Sequence, residues 1–169
     1  SCGSGGFLLY ALNKVRDKAT ELYPNYSKDV RQYDRWHKYW HDFAEKNLFG
    51  IEISEQISRA AKMNMIIHDD GHTNVITSDG LVSDETIIAK TNNQGFKYGT
   101  FDFIITNPPF GSTVRQSEQA YLKTYQLGMK EEDWLAVATP PQNTRDGQST
   151  EVLFIEQDYK FLKEGGYLA

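Results

Sequence analysis

Cysteine is nearly absent: Cys2 stands alone in 169 residues. A disulfide framework is therefore excluded within the chain, and a reducing, cytoplasmic setting is expected. Long apolar runs are missing too. Nothing approaches the ~20 residues that span a bilayer, and the opening residues do not read as a secretory leader. No membrane partner is expected. Positive charge is in short supply, with 18 Lys and Arg against 23 Asp and Glu, a net charge of −5. The chain thus lacks the electrostatic footprint of a nucleic-acid binder. Neither an internal repeat nor a low-complexity tract is visible. Proline is scarce, but four of the five prolines come as adjacent pairs, Pro108-Pro109 and Pro140-Pro141. What remains, 39% hydrophobic and 24% charged, is ordinary for one domain with a real core.

The first proline pair lies in the most informative stretch, Phe101 to Gly111, FDFIITNPPFG. Phe101 to Thr106 is apolar and β-branched, and reads as a buried strand. Pro108 biases Asn107 toward an extended backbone. Two successive prolines fix φ and carry no N–H. The strand end therefore offers acceptors, the Asn107 amide oxygen and the Pro108 carbonyl. An exocyclic amine could give both its hydrogens there, which draws its nitrogen toward tetrahedral geometry and frees the lone pair. Phe110 supplies a flat apolar face on which a base could stack.

Upstream, Ser1 to Phe7 reads SCGSGGF and a helical pattern follows (Leu8, Leu9, Leu12, Val15). A glycine turn opening a helix brings backbone N–H groups close to a ligand, although such a turn alone is a weak signal. Residues 18–47 read as a helical insertion, with a helix over 29–46 carrying Tyr33, Trp36, Tyr39, Trp40 and Phe43. His37 and His41 share a face, but no third ligand or general-base Glu stands between them, so a packed or solvated helix is expected. Leu48 to Ile53 is a short strand with Glu52 near its end, where a nucleotide-binding sheet places its ribose acid. Ser54 caps a helix running to Ile67. His68-Asp69-Asp70-Gly71-His72 reads as the turn after it, with Gly71 as the stop. No metal is expected. Asn74 to Thr77 is a third strand, and Asp79 at its end could accept from an adenine amino group. The polar stretch 83–100 reads as a mobile connection or hairpin, 135–147 as a long loop, and 150–163 as an amphipathic helix ended by Gly165-Gly166. A strand begins at Tyr167.

Strands alternating with helices argue for an α/β fold with a parallel sheet and helices on both faces. Ligands then bind at the carboxyl ends of the strands. The glycine turn, Glu52, Asp79 and Asn107 all fall at such ends and describe one crevice.

Those residues carry a resemblance. CGSGGF, Glu52, Asp79, the helix text AAKMNMIIH and TNPPFG resemble amino-group DNA methyltransferases, most nearly the adenine-N6 modification subunit of type I restriction–modification systems. The resemblance implies a Rossmann-like S-adenosylmethionine-dependent methyltransferase sheet, incomplete at both ends, as in a piece of a longer subunit. It implies that Gly3, Ser4, Gly5, Gly6 and Phe7 pass close to the cofactor. Glu52 would hold its ribose hydroxyls, Ile53 would pack on its adenine, and Asp79 would take its amino group. Asn107, Pro108, Pro109 and Phe110 would grip an adenine flipped from double-stranded DNA. Positioning and desolvation would do the work, so no catalytic base is assigned. Site choice would belong to a separate specificity subunit beside a restriction subunit, in keeping with the missing basic patch. One other reading shares the clip, methyl transfer to protein glutamine or RNA bases; a second, a cofactor-binding scaffold without turnover, is one the intact clip argues against.

Overall fold

The computed structural model describes residues 2–69, 74–115, 120–130 and 143–169. The chain divides into two compact units, Ser1–Asp79 and Gly80–Ala169.

In the first unit, α1 (Gly6–Leu22) and α2 (Val30–Asn47) precede β1 (Gly50–Glu52), α3 (Glu55–Ile67) and β2 (Val75–Thr77). Leu8, Leu12 and Ala19 fall on one face of α1 and meet Trp40 and Ala44 of α2, Ala61 and Met65 of α3, and Val75 in one core. The caps follow the sequence. Asp29 accepts from the N–H groups of Arg31 (2.8 Å) and Gln32 (3.3 Å) at the start of α2, and Ser54 accepts from Ile57 N–H at 3.4 Å at the start of α3. β1 and β2 pair in parallel, Glu52 opposite Thr77. Parallel pairing of adjacent strands requires a crossover, and α3 provides it.

The second unit opens with α4 (Asp84–Thr91) and β3 (Phe101–Ile104), followed by β4 (Thr113–Arg115), two 3-10 turns (Ala120–Thr124, Gln126–Gly128) and β5 (Met129–Lys130). Then come β6 (Asn143–Thr144), β7 (Gly147–Ser149), α5 (Thr150–Phe161) and β8 (Leu162–Leu168). Its core gathers Leu81, Val114, Leu122, Tyr125 and Leu153. Buried Gln157 accepts from the hydroxyls of Tyr98 (3.1 Å) and Tyr125 (2.8 Å) and donates to Val82 O (2.8 Å), so its amide is satisfied on both sides. β3 and β8 are parallel; β4–β7 and β5–β6 are antiparallel. Among the described residues each strand has one partner, so the alternation and the parallel pairing are present as two-stranded pairs and not as one sheet.

Three expectations need correction. The strand before the clip, expected to be buried over 101–106, is Phe101–Ile104 and has no buried residue, Phe103 being 56% exposed, since β8 is its one strand partner among the described residues. The stretch 83–100 is not a loop throughout: Asp84–Thr91 is helical, its N-cap Ser83 accepting from Thr86 N–H at 3.3 Å, with Asp84 and Glu85 in the first turn and Ile87 buried. Capping and the favourable dipole position of the two acids outweigh the polar composition. The last helix ends at Phe161 rather than at the Gly165-Gly166 pair, which instead lies inside β8 where its register with β3 slips. The long loop expected over 135–147 lies largely outside the described residues; at 143–144 it forms β6. No helix among the described residues is long and apolar enough to cross a membrane.

One acid in this unit carries a stability prediction. Asp158 is buried, and burial pushes its carboxyl up from 3.8 to about 6. The folded chain then holds a proton that the unfolded chain has already released, so stability falls as pH rises across that interval and stays lower above it. Asp158→Asn is expected to raise the melting temperature at pH 7.5 by roughly 3–6 °C and to change it little at pH 3.5. A scan over both pH values checks this; an equal shift at each would sink the burial explanation.

Candidate active site

The glycine loop is built on β1. Cys2 N–H donates to Ile51 O at 2.7 Å, laying the start of the chain alongside that strand. Gly3 and Gly5 have φ of +54° and +88°, values that favour glycine because a Cβ would crowd the backbone. Gly5 is the N-cap of α1 and has no side chain to cap it. Three groups hold the turn. Gly3 N–H donates to Glu52 Oε2 at 3.1 Å. Gly5 N–H donates to Cys2 O at 3.0 Å. Asn64 Nδ2, from α3, donates to Ser4 O at 2.9 Å. Ala61, one turn earlier on α3, lies under Gly5: a Cβ there would sit 3.5 Å from the Ala61 Cβ. Burial pushes the Cys2 thiol up to about 11, so it stays protonated at neutral pH and serves as packing rather than as a nucleophile.

Glu52 is 5% exposed, far from the solvated acid that a strand-end glutamate could have been. Besides Gly3, it accepts from Ser54 N–H at 3.0 Å through Oε1. Each carboxylate oxygen keeps a further lone pair. Ser78 N–H bonds Glu52 O at 3.1 Å, which ties the end of β2 to the end of β1 one residue before Asp79. Phe7 and Ile53 are exposed. The structure therefore brings Gly3 and Glu52 into contact and leaves Asp79 nearby in the chain path, at the matching strand end.

In the second unit the Asn-Pro-Pro-Phe segment leaves β3 at its carboxyl end. Thr106 N–H donates to Ala169 O and Ala169 N–H to Ile104 O, both at 3.0 Å, fixing the exit. The far side of the clip is tied to α5: Thr150 Oγ1 donates to Pro109 O at 2.8 Å, and Gly111 N–H donates to Glu151 Oε1 at 2.8 Å. Asn107 is exposed, and Phe110 is 74% exposed. Among the described residues neither the Asn107 side chain nor the Pro108 carbonyl has a hydrogen-bond partner, whereas the Pro109 carbonyl is committed internally. The clip can therefore present two acceptors, side by side in sequence, next to an uncovered aromatic ring.

Comparison with known proteins agrees with these two motifs. The N-6 DNA Methylase family matches residues 1–167. The chain belongs to this family. It is also similar to the type II restriction enzyme and methyltransferase RM.BcgI of Heyndrickxia coagulans, with 28% identity over 154 residues, 88% of this chain and 20% of that protein. The chain thus spans about a fifth of that relative's length. No solved structure matches it. The resemblance to N6-adenine DNA methyltransferases is borne out at the level of family.

Outside the two motifs, this N-6 DNA methylase chain puts its aromatic helix to structural use. Tyr26 stacks on Trp36 (centroids 4.5 Å), His37 on His41 (5.1 Å), and the Arg16 guanidinium lies 4.0 Å from the Trp40 ring centroid. The rings face one another, which is the packed reading of His37 and His41. The ligand atoms of His41, Asp42 and Glu45 come within 4.8 Å of each other. Asp42, however, is bridged by Lys38 (2.8 Å) and Lys46 (3.3 Å), and the Lys38 hydrogen bond holds its carboxyl below the usual range. Of the turn 68–72, His68 Nδ1 lies 2.8 Å from Asn64 O, and Asp70, Gly71 and His72 lie outside the described residues. Three residues escaped the sequence reading: Asn64, Thr150 and Glu151. Asn64 stands inside the AAKMN text, and its polar side chain amid apolar helix positions was the available signal. Thr150 and Glu151 looked like an ordinary helix start.

Proposed function

We propose that this chain is the catalytic part of a DNA adenine-N6 methyltransferase that takes its methyl group from S-adenosylmethionine. The observation that carries the reading is the clip: Asn107 Oδ1 and Pro108 O without partners among the described residues, Pro109 O tied back, and Phe110 74% exposed. In this reading Asn107 and Pro108 accept the two N6 hydrogens of an extruded adenine, and Phe110 stacks on its ring. Flipping the base costs a few kcal/mol, which the stacking and the two hydrogen bonds offset. Pro109 holds the backbone rigid between them. S-adenosylmethionine, when bound, supplies an electrophilic methyl group.

The residues of the first unit fit that cofactor. Glu52 is a fixed acceptor with spare lone pairs for two hydroxyls, and Ile53 and Phe7 offer exposed apolar surface. Asp79 can accept from an amino group. A Cβ placed on Gly6 would meet nothing of the protein within 4 Å, so its smallness is not demanded by packing, unlike that of Gly50. Gly6→Ala is accordingly expected to leave stability unchanged or raised by up to ~1 kcal/mol and yet weaken S-adenosylmethionine binding at least tenfold. Calorimetry beside thermal unfolding checks this; undiminished affinity would remove Gly6 from the contact surface.

The finer fold reading belongs to the same proposal: a Rossmann-like methyltransferase fold spanning 1–169, with 18–47 as a helical insertion. Parallel pairing within each unit and a helix preceding β2 and β8 support it. The same proposal holds that the chain acts on double-stranded DNA in the cytoplasm as the modification subunit of a restriction–modification system of type I organisation. The net charge of −5 is in keeping with phosphate contacts that come largely from other chains or segments, a separate specificity subunit among them; a restriction subunit completes the proposed assembly. The name of RM.BcgI joins restriction and methyl transfer in one protein, which is the competing arrangement. The test is radiolabelled methyl transfer by the full-length assembly to unmethylated DNA, RNA and protein, with subunit composition by mass. Label in DNA as N6-methyladenine is expected; label only in RNA or protein, or donor binding without turnover, would overturn the reading.

A further inference from the structure

The loop after the clip is folded onto the first turn of α5 by two consecutive residues. Thr150 is 7% exposed, and its hydroxyl donates to Pro109 O at 2.8 Å, with Ser112 O at 3.2 Å sharing the proton. Its backbone N–H donates to Ser112 O at 3.1 Å. Glu151 Oε1 accepts from Gly111 N–H at 2.8 Å. Three backbone groups around Phe110, those of residues 109, 111 and 112, are therefore held from outside the loop. Gly111, at φ +71°, makes the bend that this requires. Phe110 itself is left 74% exposed, so no packing fixes its ring.

We propose that Thr150 and Glu151 are positioning residues that set the plane of Phe110 and the direction of the Pro108 carbonyl. This rests on the reading of the clip given above. An exposed aromatic ring can present one face to a base only if its backbone is immobilised, and proline supplies that on one side alone. On the other side only Gly111 and Ser112 separate the ring from β4, and the two residues hold both. The Glu151 carboxyl is held below its usual range by hydrogen bonds from its own N–H and from Gly111, so it remains a charged acceptor at neutral pH. The pair touches neither acceptor atom directly. Its loss should reach the rate through Phe110 and Pro108.

Two measurements on the full-length assembly test this. In Thr150→Val the hydroxyl goes and the shape stays. The turnover rate on unmethylated DNA is expected to fall about 10- to 100-fold, the scale of a small misplacement in an oriented site. Affinity for S-adenosylmethionine should stay within about twofold, and Thr150→Ser should recover the rate to within about threefold, as it restores the donor. In Glu151→Ala, amide exchange at Gly111 should accelerate at least tenfold without any ligand, while exchange in β1 is unchanged. Equal rates in the parent and Thr150→Val, failure of serine to recover, or unaltered exchange at Gly111 would each overturn the role. A parent assembly that transfers no methyl group would overturn the methyltransferase reading and this role together. The ligand-free exchange still tells the two failures apart, because it reports the hydrogen bonds alone.

Discussion

Asn107→Ala is expected to abolish measurable methyl transfer, a loss of at least 10²- to 10³-fold by analogy with removing one preorganised polar partner from a transition state. Affinity for S-adenosylmethionine should remain within about twofold. The reasoning is local. The asparagine amide oxygen is one of two acceptors that can take both hydrogens of an amino group, and it lies on a backbone made stiff by Pro108 and Pro109. Its demand on the amine grows as the nitrogen becomes tetrahedral, so its contribution is larger at the transition state than in the ground state. The side chain has no structural partner among the described residues and is exposed, so its removal should leave folding intact. Single-turnover rates and equilibrium donor binding, measured on one preparation, decide the matter. Surviving turnover would remove Asn107 from its role; lost donor affinity would move it into the cofactor site.

Glu52→Ala should behave differently, because Glu52 has two tasks. Its carboxylate accepts from Gly3 N–H and Ser54 N–H while 5% exposed. Truncation leaves both donors without their acceptor in a partly buried place, at a cost of at most about 1–3 kcal/mol for each group. The same change removes the acceptor proposed for the ribose hydroxyls and releases the glycine loop. Donor affinity is expected to fall at least 30-fold and the melting temperature to fall with it. Glu52→Gln keeps one acceptor oxygen, so it should lose affinity while recovering part of the stability. Calorimetry and thermal unfolding of both variants separate the tasks. Unchanged donor affinity in Glu52→Ala would leave Glu52 as a structural latch only.

Much of this was legible before any coordinates. Elements with strong local signals came through: the Ser54 cap, the Leu8-Leu12 face of α1, and the short strands that end near Glu52, Asp79 and Asn107. Local signals failed where two of them competed. Across 83–100 the Asn and Gly content read as loop, yet Ser83 with Asp84 and Glu85 is a helix start. At Gly165-Gly166 a glycine pair read as a stop, yet β8 begins at Leu162 and carries the pair as an irregularity. In the first the cap and the two acids decided, with Ile87 sinking into its unit; in the second strand pairing decided, with Leu162 opposite Phe101.

The sequence by itself determined the chemistry on offer, since an Asn-Pro-Pro-Phe segment after a β-branched run and a glycine turn before a helix are short-range patterns fixed by covalent geometry. Family membership is legible at the same level. Only the tertiary structure decided how those segments are held. Asn64 reaches Ser4 from 60 positions away in the chain, Glu52 reaches Gly3 from 49, and Thr150 reaches Pro109 from 41. Hydrogen bonds across such separations form when packing brings distant elements together, and no local propensity encodes them. The same packing buried the Glu52 carboxylate with one hydrogen bond on each oxygen and left Asn107 open, although both are polar residues at strand ends.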